Sequence, residues 1–171
     1  MRKRFLKNFL PDFYFPKITD IKADFFSGSR LILLDVDNTL VFSETTETKK
    51  EIIGWFYGIN NIYKCILISN SKTIKKRSGA ISKLLDCQIF LSPYKKPFKK
   101  LFLDLEKKYN FGNGKVFVVG DRIFTDILFG NLNGATTVLV VPLGGKENML
   151  IKIVRKIENF TLFLVGFLGY N

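Results

Sequence analysis

The chain has 171 residues, with 27 lysines and arginines against 15 acidic side chains, a formal charge of +12, and no histidine. That length suits one domain with its own core, and the charge points to anionic partners: phosphoesters, nucleic acid or an anionic bilayer surface. The lack of histidine excludes Ser-His-Asp triads, Cys-His pairs, phosphohistidine chemistry and most zinc sites, leaving carboxylates, lysines, hydroxyls and a metal for any catalysis. Cys65 and Cys87 both lie in apolar runs, where a small buried thiol fits a reducing, intracellular setting better than a disulfide framework. A cysteine phosphatase would need an arginine six residues after its thiol, where Ser71 and Pro93 stand. Gly144-Gly145-Lys146 is followed by Glu147 and has no upstream glycine, so it is not a nucleotide-binding P-loop.

In chain order, the basic and aromatic residues 1–10 are interrupted by Lys7, Pro11 and Asp12 and do not read as a secretion signal. They suit either an arm packed on the domain or an interfacial segment with Phe5, Leu6, Phe9 and Leu10 in the acyl boundary. Residues 11–29 read as an irregular lead-in with a short helix at 18–26. Leu31-Ile32-Leu33-Leu34 has no polar alternation and predicts a strand buried on both faces, ending in Asp35 and Asp37. The apolar face formed by Ile52, Ile53, Trp55, Phe56 and Ile59 predicts a helix over 44–59, capped by Thr45 or Thr46.

Strands follow at 65–68, 87–91, 116–119 and 136–141, and helices at 73–85, 97–109, 125–131 and 146–157. The charge run Lys72, Lys75, Lys76, Arg77 and Lys83 has the look of a solvated helix face, although its start beside Ser69 could also attract a phosphate. Strands alternating with helices predict an α/β, Rossmann-like three-layer sandwich with a mainly parallel five-stranded sheet. The expected organisation is a lead-in over 1–30, one catalytic domain over 31–158 and an apolar tail over 159–171, the tail being too short to span a bilayer. Core packing is the expected role of that tail, with interfacial membrane contact the alternative.

In such a sheet the ligand crevice lies at the carboxyl ends of the strands, and four motifs arrive there. The first is Asp35-Val36-Asp37-Asn38-Thr39; the second is Ser69-Asn70; the third is Lys95-Lys96-Pro97; the fourth is Gly120-Asp121-Arg122, with Asp126 beyond. Taken alone, the Asp35 motif is equally compatible with turn and cap chemistry. The set of four resembles the haloacid dehalogenase-like (HAD) phosphohydrolases over about two thirds of the chain. Leu10-Pro11-Asp12, Lys96-Pro97 and the run from Gly120 through Asp126 to Gly130-Asn131 extend the resemblance to the short capless subgroup containing phosphatidylglycerophosphate phosphatases.

That resemblance implies the following roles. Asp35 is a nucleophile that forms an aspartyl-phosphate, and Asp37 is the general acid and then the base. Mg²⁺ is held by Asp35, the backbone carbonyl of Asp37 and Asp121, with Asp126 in support. Ser69 and Asn70 bind phosphate, and Lys96, or its neighbour Lys95, neutralises it. The intervals 40–65 and 70–95 leave no room for a cap domain, so an uncovered site is expected to take a bulky phosphorylated substrate. A lipid headgroup is favoured, with a nucleic-acid end, a nucleotide or a phosphoprotein as alternatives. A non-enzymatic basic module binding RNA or an anionic membrane is the reading from another class. The expected location is cytoplasmic or peripheral on the inner face of a membrane.

Overall fold

The computed structural model describes residues 7–144. The segment 1–6, the helix expected at 146–157 and the apolar tail all lie outside them. Five strands form an entirely parallel sheet: β1 (Phe13–Phe15), β2 (Ser29–Asp35), β3 (Cys65–Ile68), β4 (Lys115–Gly120) and β5 (Thr136–Val140), in the order β1-β5-β4-β2-β3. The helices are α1 (Lys50–Asn60), α2 (Ile74–Leu85), α3 (Lys99–Tyr109) and α4 (Leu128–Leu132), and a π-helical turn, Ile123–Ile127, leads into α4.

Strand side chains alternate between faces, and the two faces bury different partners. Ile32 and Leu34 of β2 and Phe117 and Val119 of β4 pack with Ile52, Phe56 and Ile59 of α1 and Ile81 and Leu85 of α2. Leu31 and Leu33, with Val116 and Val118, pack instead with Leu101 and Leu105 of α3 and Phe129 of α4. Both faces of β2 and β4 are therefore dry, which is why their sequences lack alternation. The three-layer α/β architecture predicted from the pattern is the one observed, and among the described residues no cap domain interrupts it.

The fifth strand is not the expected one. Residues 87–91 make only an isolated bridge, Ile89 with Leu67, with the N–H of Leu67 donating to the Gln88 carbonyl and that of Phe90 to the Leu67 carbonyl. The place is taken at the opposite edge by β1, in the stretch read as irregular, which pairs with β5 from Phe13↔Val138 to Phe15↔Val140. Just ahead of β1, Asp12 fixes the register. Its Oδ2 accepts from the Thr137 N–H at 2.8 Å and its own N–H donates to Thr137 Oγ1 at 3.0 Å. Asn131 Nδ2 donates to the carbonyls of Asn8 and Leu10, both at 2.8 Å. The single short helix expected at 18–26 is two 3₁₀ turns, Ile18–Asp20 and Ala23–Phe26.

Two helix starts also differ from expectation. α1 begins at Lys50 rather than residue 44, because Glu44 takes a left-handed φ of 59° and the segment before α1 is a loop. Thr45 caps nothing: its hydroxyl donates to the Phe42 carbonyl at 2.9 Å and accepts from the Glu47 N–H at 3.1 Å, bracing that loop. Pro97 does not open α3, which starts at Lys99 after a turn closed by the Phe98 N–H on the Lys95 carbonyl.

Candidate active site

β2 ends at Asp35, which points to the same face as Leu31 and Leu33, toward α3. Val36 continues the strand's alternation, fully buried in the opposite cluster, and the chain then turns back so that the Val36 carbonyl accepts from the Leu40 N–H at 2.9 Å. The turn is made by Asn38, with φ 62°, whose N–H donates to the Val41 carbonyl at 2.8 Å. Asparagine tolerates the left-handed region better than most residues. Thr39 Oγ1 reaches back to Asp35 Oδ2 at 3.4 Å.

β4 delivers the second pair of acids. Asp121 follows Gly120 directly, and Asp126 projects from the π-helical turn; they are 4% and 1% exposed. Gly120 makes the approach possible, since a Cβ there would lie 2.5 Å from both Cβ and Oδ2 of Asp126. Carboxylate oxygens of Asp35, Asp121 and Asp126 all fall within 4.8 Å of one another.

Lys96 enters this acidic cluster from the loop before α3. Its ammonium is 2.5 Å from Asp35 Oδ1 and 2.5 Å from Asp126 Oδ1, and the residue is 3% exposed. Of the two lysines considered, Lys96 is the one that reaches the carboxylates; Lys95 is exposed, and its Nζ donates to the Asn70 carbonyl at 3.0 Å. The Asn70 carboxamide grips the Lys96 backbone from both sides, accepting from its N–H and donating to its carbonyl at 2.8 Å each. Asn70 is thus committed to holding Lys96 in place.

Burial pushes the Asp35 carboxyl well above the usual carboxylate range, and the charges of Asp126 and Asp121 add to this; Lys96 opposes it without cancelling it. Burial acts to lower the Lys96 pKa, but Asp126 and Asp35 outweigh it and hold the ammonium above its ordinary value, so Lys96 stays charged. Three clustered carboxyl groups therefore surround a site in which the buried Lys96 ammonium touches two of them. Closely grouped hard oxygen donors with excess negative charge are the chemistry that Mg²⁺ or a similar divalent ion accepts, and such an ion would reverse the penalty on Asp35. The residues present fit a metal.

Asp37 belongs to a different network. Its Oδ1 accepts from Arg77 Nη2 and from the Glu44 N–H, both at 2.9 Å, and its Oδ2 accepts from Ser69 Oγ at 3.0 Å. The Glu44 carboxylate in turn accepts from Ser71 Oγ at 2.8 Å and from Thr73 Oγ1. Partial burial works against the Glu44 charge, but these hydroxyls and then Arg77 outweigh it and bring its pKa below the ordinary value. Glu44 thereby ties the loop after β2 to the start of α2.

Arg77, Glu44, Ser71 and Thr73 are site residues that the sequence reading did not single out. Arg77 sits in a charge run with the look of a solvated face, and Glu44 was expected to open a helix. The signal present was proximity of that run to Ser69.

Asp35, Asp37, Ser69, Asn70, Lys95, Lys96 and Arg122 line one open cleft of about 270 Å³ at the carboxyl edge of the sheet. The arrangement sets a buried carboxylate beside a buried ammonium, with a second carboxylate and a hydroxyl across the cleft. It can bind an anion, present an oxygen nucleophile to it and hold a metal next to both.

Residues 3–142 match the family described as "Mitochondrial PGP phosphatase". The chain is 30% identical over 159 residues to "Probable phosphatase YqeG" of Bacillus subtilis (strain 168), covering 89% of this chain and 88% of that protein. It is similar to "Phosphatidylglycerophosphate phosphatase 1, chloroplastic" of Chlamydomonas reinhardtii, 30% identical over 149 residues, 82% of this chain and 54% of the algal one. A shorter match, 41% over 56 residues, covers 32% of this chain and 16% of "Phosphatidylglycerophosphate phosphatase 1, chloroplastic/mitochondrial" of Arabidopsis thaliana. The chain thus spans nearly all of the bacterial relative and about half of the algal one.

Proposed function

The chain belongs to the mitochondrial PGP phosphatase family of HAD-type phosphatases, and we propose that it is a Mg²⁺-dependent phosphomonoesterase acting on phosphatidylglycerophosphate. The observation that carries the mechanism is the junction of Asp35, Asp121 and Asp126 with the Lys96 ammonium, 2.5 Å from two of the three carboxylates. The lipid substrate is supported by the names of the plant and algal relatives and by a cleft that no cap domain covers.

Phosphate monoesters hydrolyse extremely slowly in water, because a dianion repels nucleophiles and its alkoxide leaves poorly. In the proposed reaction Asp35 attacks phosphorus, the bond to the glycerol oxygen breaks, and Asp37 gives that oxygen a proton. Asp37 then takes a proton from water as the water attacks the aspartyl-phosphate. Inorganic phosphate leaves and the Asp35 carboxylate is restored. Lys96 offsets charge on the nucleophile and on the transferring group, Ser69 turns its hydroxyl from Asp37 to donate to a phosphoryl oxygen once substrate is bound, and Asn70 lines the cleft while keeping Lys96 in register. Asp35, Asp121 and the Asp37 carbonyl, with Asp126 in support, would hold a Mg²⁺ ion, which would supply Lewis-acid withdrawal of phosphoryl charge.

The test is inorganic phosphate release by wild type and Asp35→Asn, with and without Mg²⁺. The substrates compared are phosphatidylglycerophosphate, mononucleotides, sugar phosphates, a phosphopeptide and 5′-phosphorylated oligonucleotides. Metal-dependent turnover that is highest on the lipid and absent in Asp35→Asn is the expected result. Faster turnover of sugar phosphates or oligonucleotides would replace the substrate and leave the mechanism; turnover retained in Asp35→Asn would overturn the mechanism.

A further inference from the structure

Between Asp86 and Asp104 the chain carries no acid, yet it carries Lys95, Lys96, Lys99 and Lys100. Lys96 turns inward to Asp35 and Asp126, whereas the other three are exposed. The apolar residues of the same stretch are also turned to water: Phe98 is 66% exposed, Leu91 48%, Leu103 48% and Tyr94 37%. Among the described residues most large apolar side chains are buried or half-buried, so a run of exposed ones beside exposed lysines needs a reason.

Local geometry holds this stretch together as a surface. The Phe98 N–H donates to the Lys95 carbonyl, which closes a turn with Lys95 at one end and Phe98 at the other. Lys100 lies 5.0 Å from the centre of the Tyr94 ring, so the start of α3 packs back on the loop. Lys95 is at once part of this stretch and part of the catalytic cleft, and its Nζ donates to the Asn70 carbonyl.

We infer that residues 91–103 are a membrane-docking face that seats on an anionic lipid surface and brings the open cleft to the headgroup layer. Aromatic and aliphatic side chains interleaved with lysines are the composition that settles at a bilayer interface: rings at headgroup depth, aliphatics in the acyl boundary, ammonium groups toward lipid phosphates. Charge complementarity selects the anionic surface, and the exposed aliphatic members Leu91 and Leu103, which give a base no ring to stack on, favour a bilayer over a purely polyanionic partner such as RNA. The inference rests on the lipid-phosphatase reading above and adds the surface through which such a substrate is approached. It is separate from the interfacial role considered for residues 1–10 and 159–171 and rests on residues that adjoin the cleft.

The experiment is co-sedimentation of the full chain with phosphatidylcholine vesicles, with and without phosphatidylserine, an anionic lipid that carries no phosphomonoester for the active site. It is run for wild type, Leu91→Ser/Phe98→Ser and Lys99→Glu/Lys100→Glu. Serine at 98 suits the position before α3, so the helix start is preserved. Wild type is expected to bind only the anionic vesicles, and each double variant to bind them about tenfold more weakly. Both variants should hydrolyse a water-soluble phosphomonoester within about twofold of wild type, since none of the four residues touches the catalytic groups. Vesicle binding unchanged in both variants would place docking elsewhere and overturn the inference. Absence of wild-type binding to the anionic vesicles would also overturn it. Failure of the phosphatase reading looks different: docking would persist while no phosphomonoester is turned over by any of the proteins.

Discussion

Arg77 donates to both carboxylate oxygens of Asp37, at 2.9 and 3.1 Å, from forty residues further along the chain. The same guanidinium donates to the Thr45 carbonyl at 2.6 Å and to Ser71 Oγ at 3.1 Å. One planar cation therefore joins the proposed acid-base residue, the loop after β2 and the start of α2. Arg77→Ala is expected to lower kcat about 10- to 100-fold with a smaller change in KM, because Asp37 loses its orientation while the phosphate-facing groups remain. Arg77→Lys should recover little, since an ammonium cannot span both oxygens and the Thr45 carbonyl together. Steady-state kinetics on a soluble phosphomonoester, with circular dichroism to check the fold, decides it; an unchanged kcat in Arg77→Ala would remove Arg77 from the mechanism.

Lys96 is the counter-ion of a buried acidic cluster. Its replacement by methionine leaves three carboxylates facing one another, a change of the kind that costs about 3–5 kcal/mol. A divalent cation should recover part of that loss in Lys96→Met. In wild type, a metal at a hundredfold excess over its Kd should add about 2.7 kcal/mol. Thermal unfolding with Mg²⁺ and with a chelator measures both. A melting temperature that does not respond to Mg²⁺ in either protein would argue against a metal at this cluster.

Gly120→Ala tests the closeness of β4 to the π-helical turn. The added methyl would meet the Asp126 side chain at 2.5 Å, and the Asp126 carboxylate also accepts from the Arg122 N–H at 3.1 Å. Relief requires Asp126 to shift from the position in which it meets Lys96. We expect a loss of about 1–3 kcal/mol in stability and a larger proportional loss of turnover than any other Gly→Ala change at an uncrowded glycine, such as Gly79. Activity and stability equal to wild type would show that the turn can yield.

The two cysteines set an alkaline limit. Burial pushes the Cys65 thiol well above its ordinary value of 9.0, with the neighbouring Cys87 adding to it. Burial likewise raises Cys87 to about 12, and its Sγ donates to the Cys65 carbonyl at 3.3 Å. Both folded values are raised, so above about pH 9 an unfolded chain loses protons that the folded chain keeps. Stability then falls as pH rises, by up to about 1.4 kcal/mol per pH unit for each thiol, and is unaffected by these groups below that range. Urea unfolding between neutral pH and about pH 10, compared with Cys65→Ala/Cys87→Ala, reads this out, the variant being less sensitive to alkali. At about pH 8 a thiol reagent should label native protein slowly and unfolded protein at once.

The strands that carry the chemistry were legible because they are dry on both faces. Runs such as Leu31 to Leu34 and Val116 to Val119 leave no other simple reading, the first ending directly in Asp35 and the second in Gly120-Asp121. β1 was not legible: three residues between Pro11 and Pro16, with Phe13 and Tyr14 about half exposed, give no periodicity to detect. It becomes a strand only through Asp12 and the partner strand β5. Residues 87–91 had the right composition, but the chain turns away through Ser92 and Pro93 after one bridge. In the site, residues at strand ends could be named in advance. Arg77 and Glu44 could not, since their roles depend on how α2 meets the loop after β2, a tertiary relation with no local pattern.

The pairing of β1 with β5 has a temporal consequence. Asp12 bonds to Thr137 across 125 residues, and the residues between supply every other strand. During synthesis at roughly 5–20 residues per second, the amino-terminal strand waits on the order of ten seconds before its template exists. Until then Phe13, Tyr14 and Phe15 offer an unsatisfied apolar edge to whatever is near the ribosome. Among the described residues the last strand to be made is the one that closes the sheet, so a chain stalled shortly before β5 would be left with its first strand without a partner and its fourth unpaired on one side.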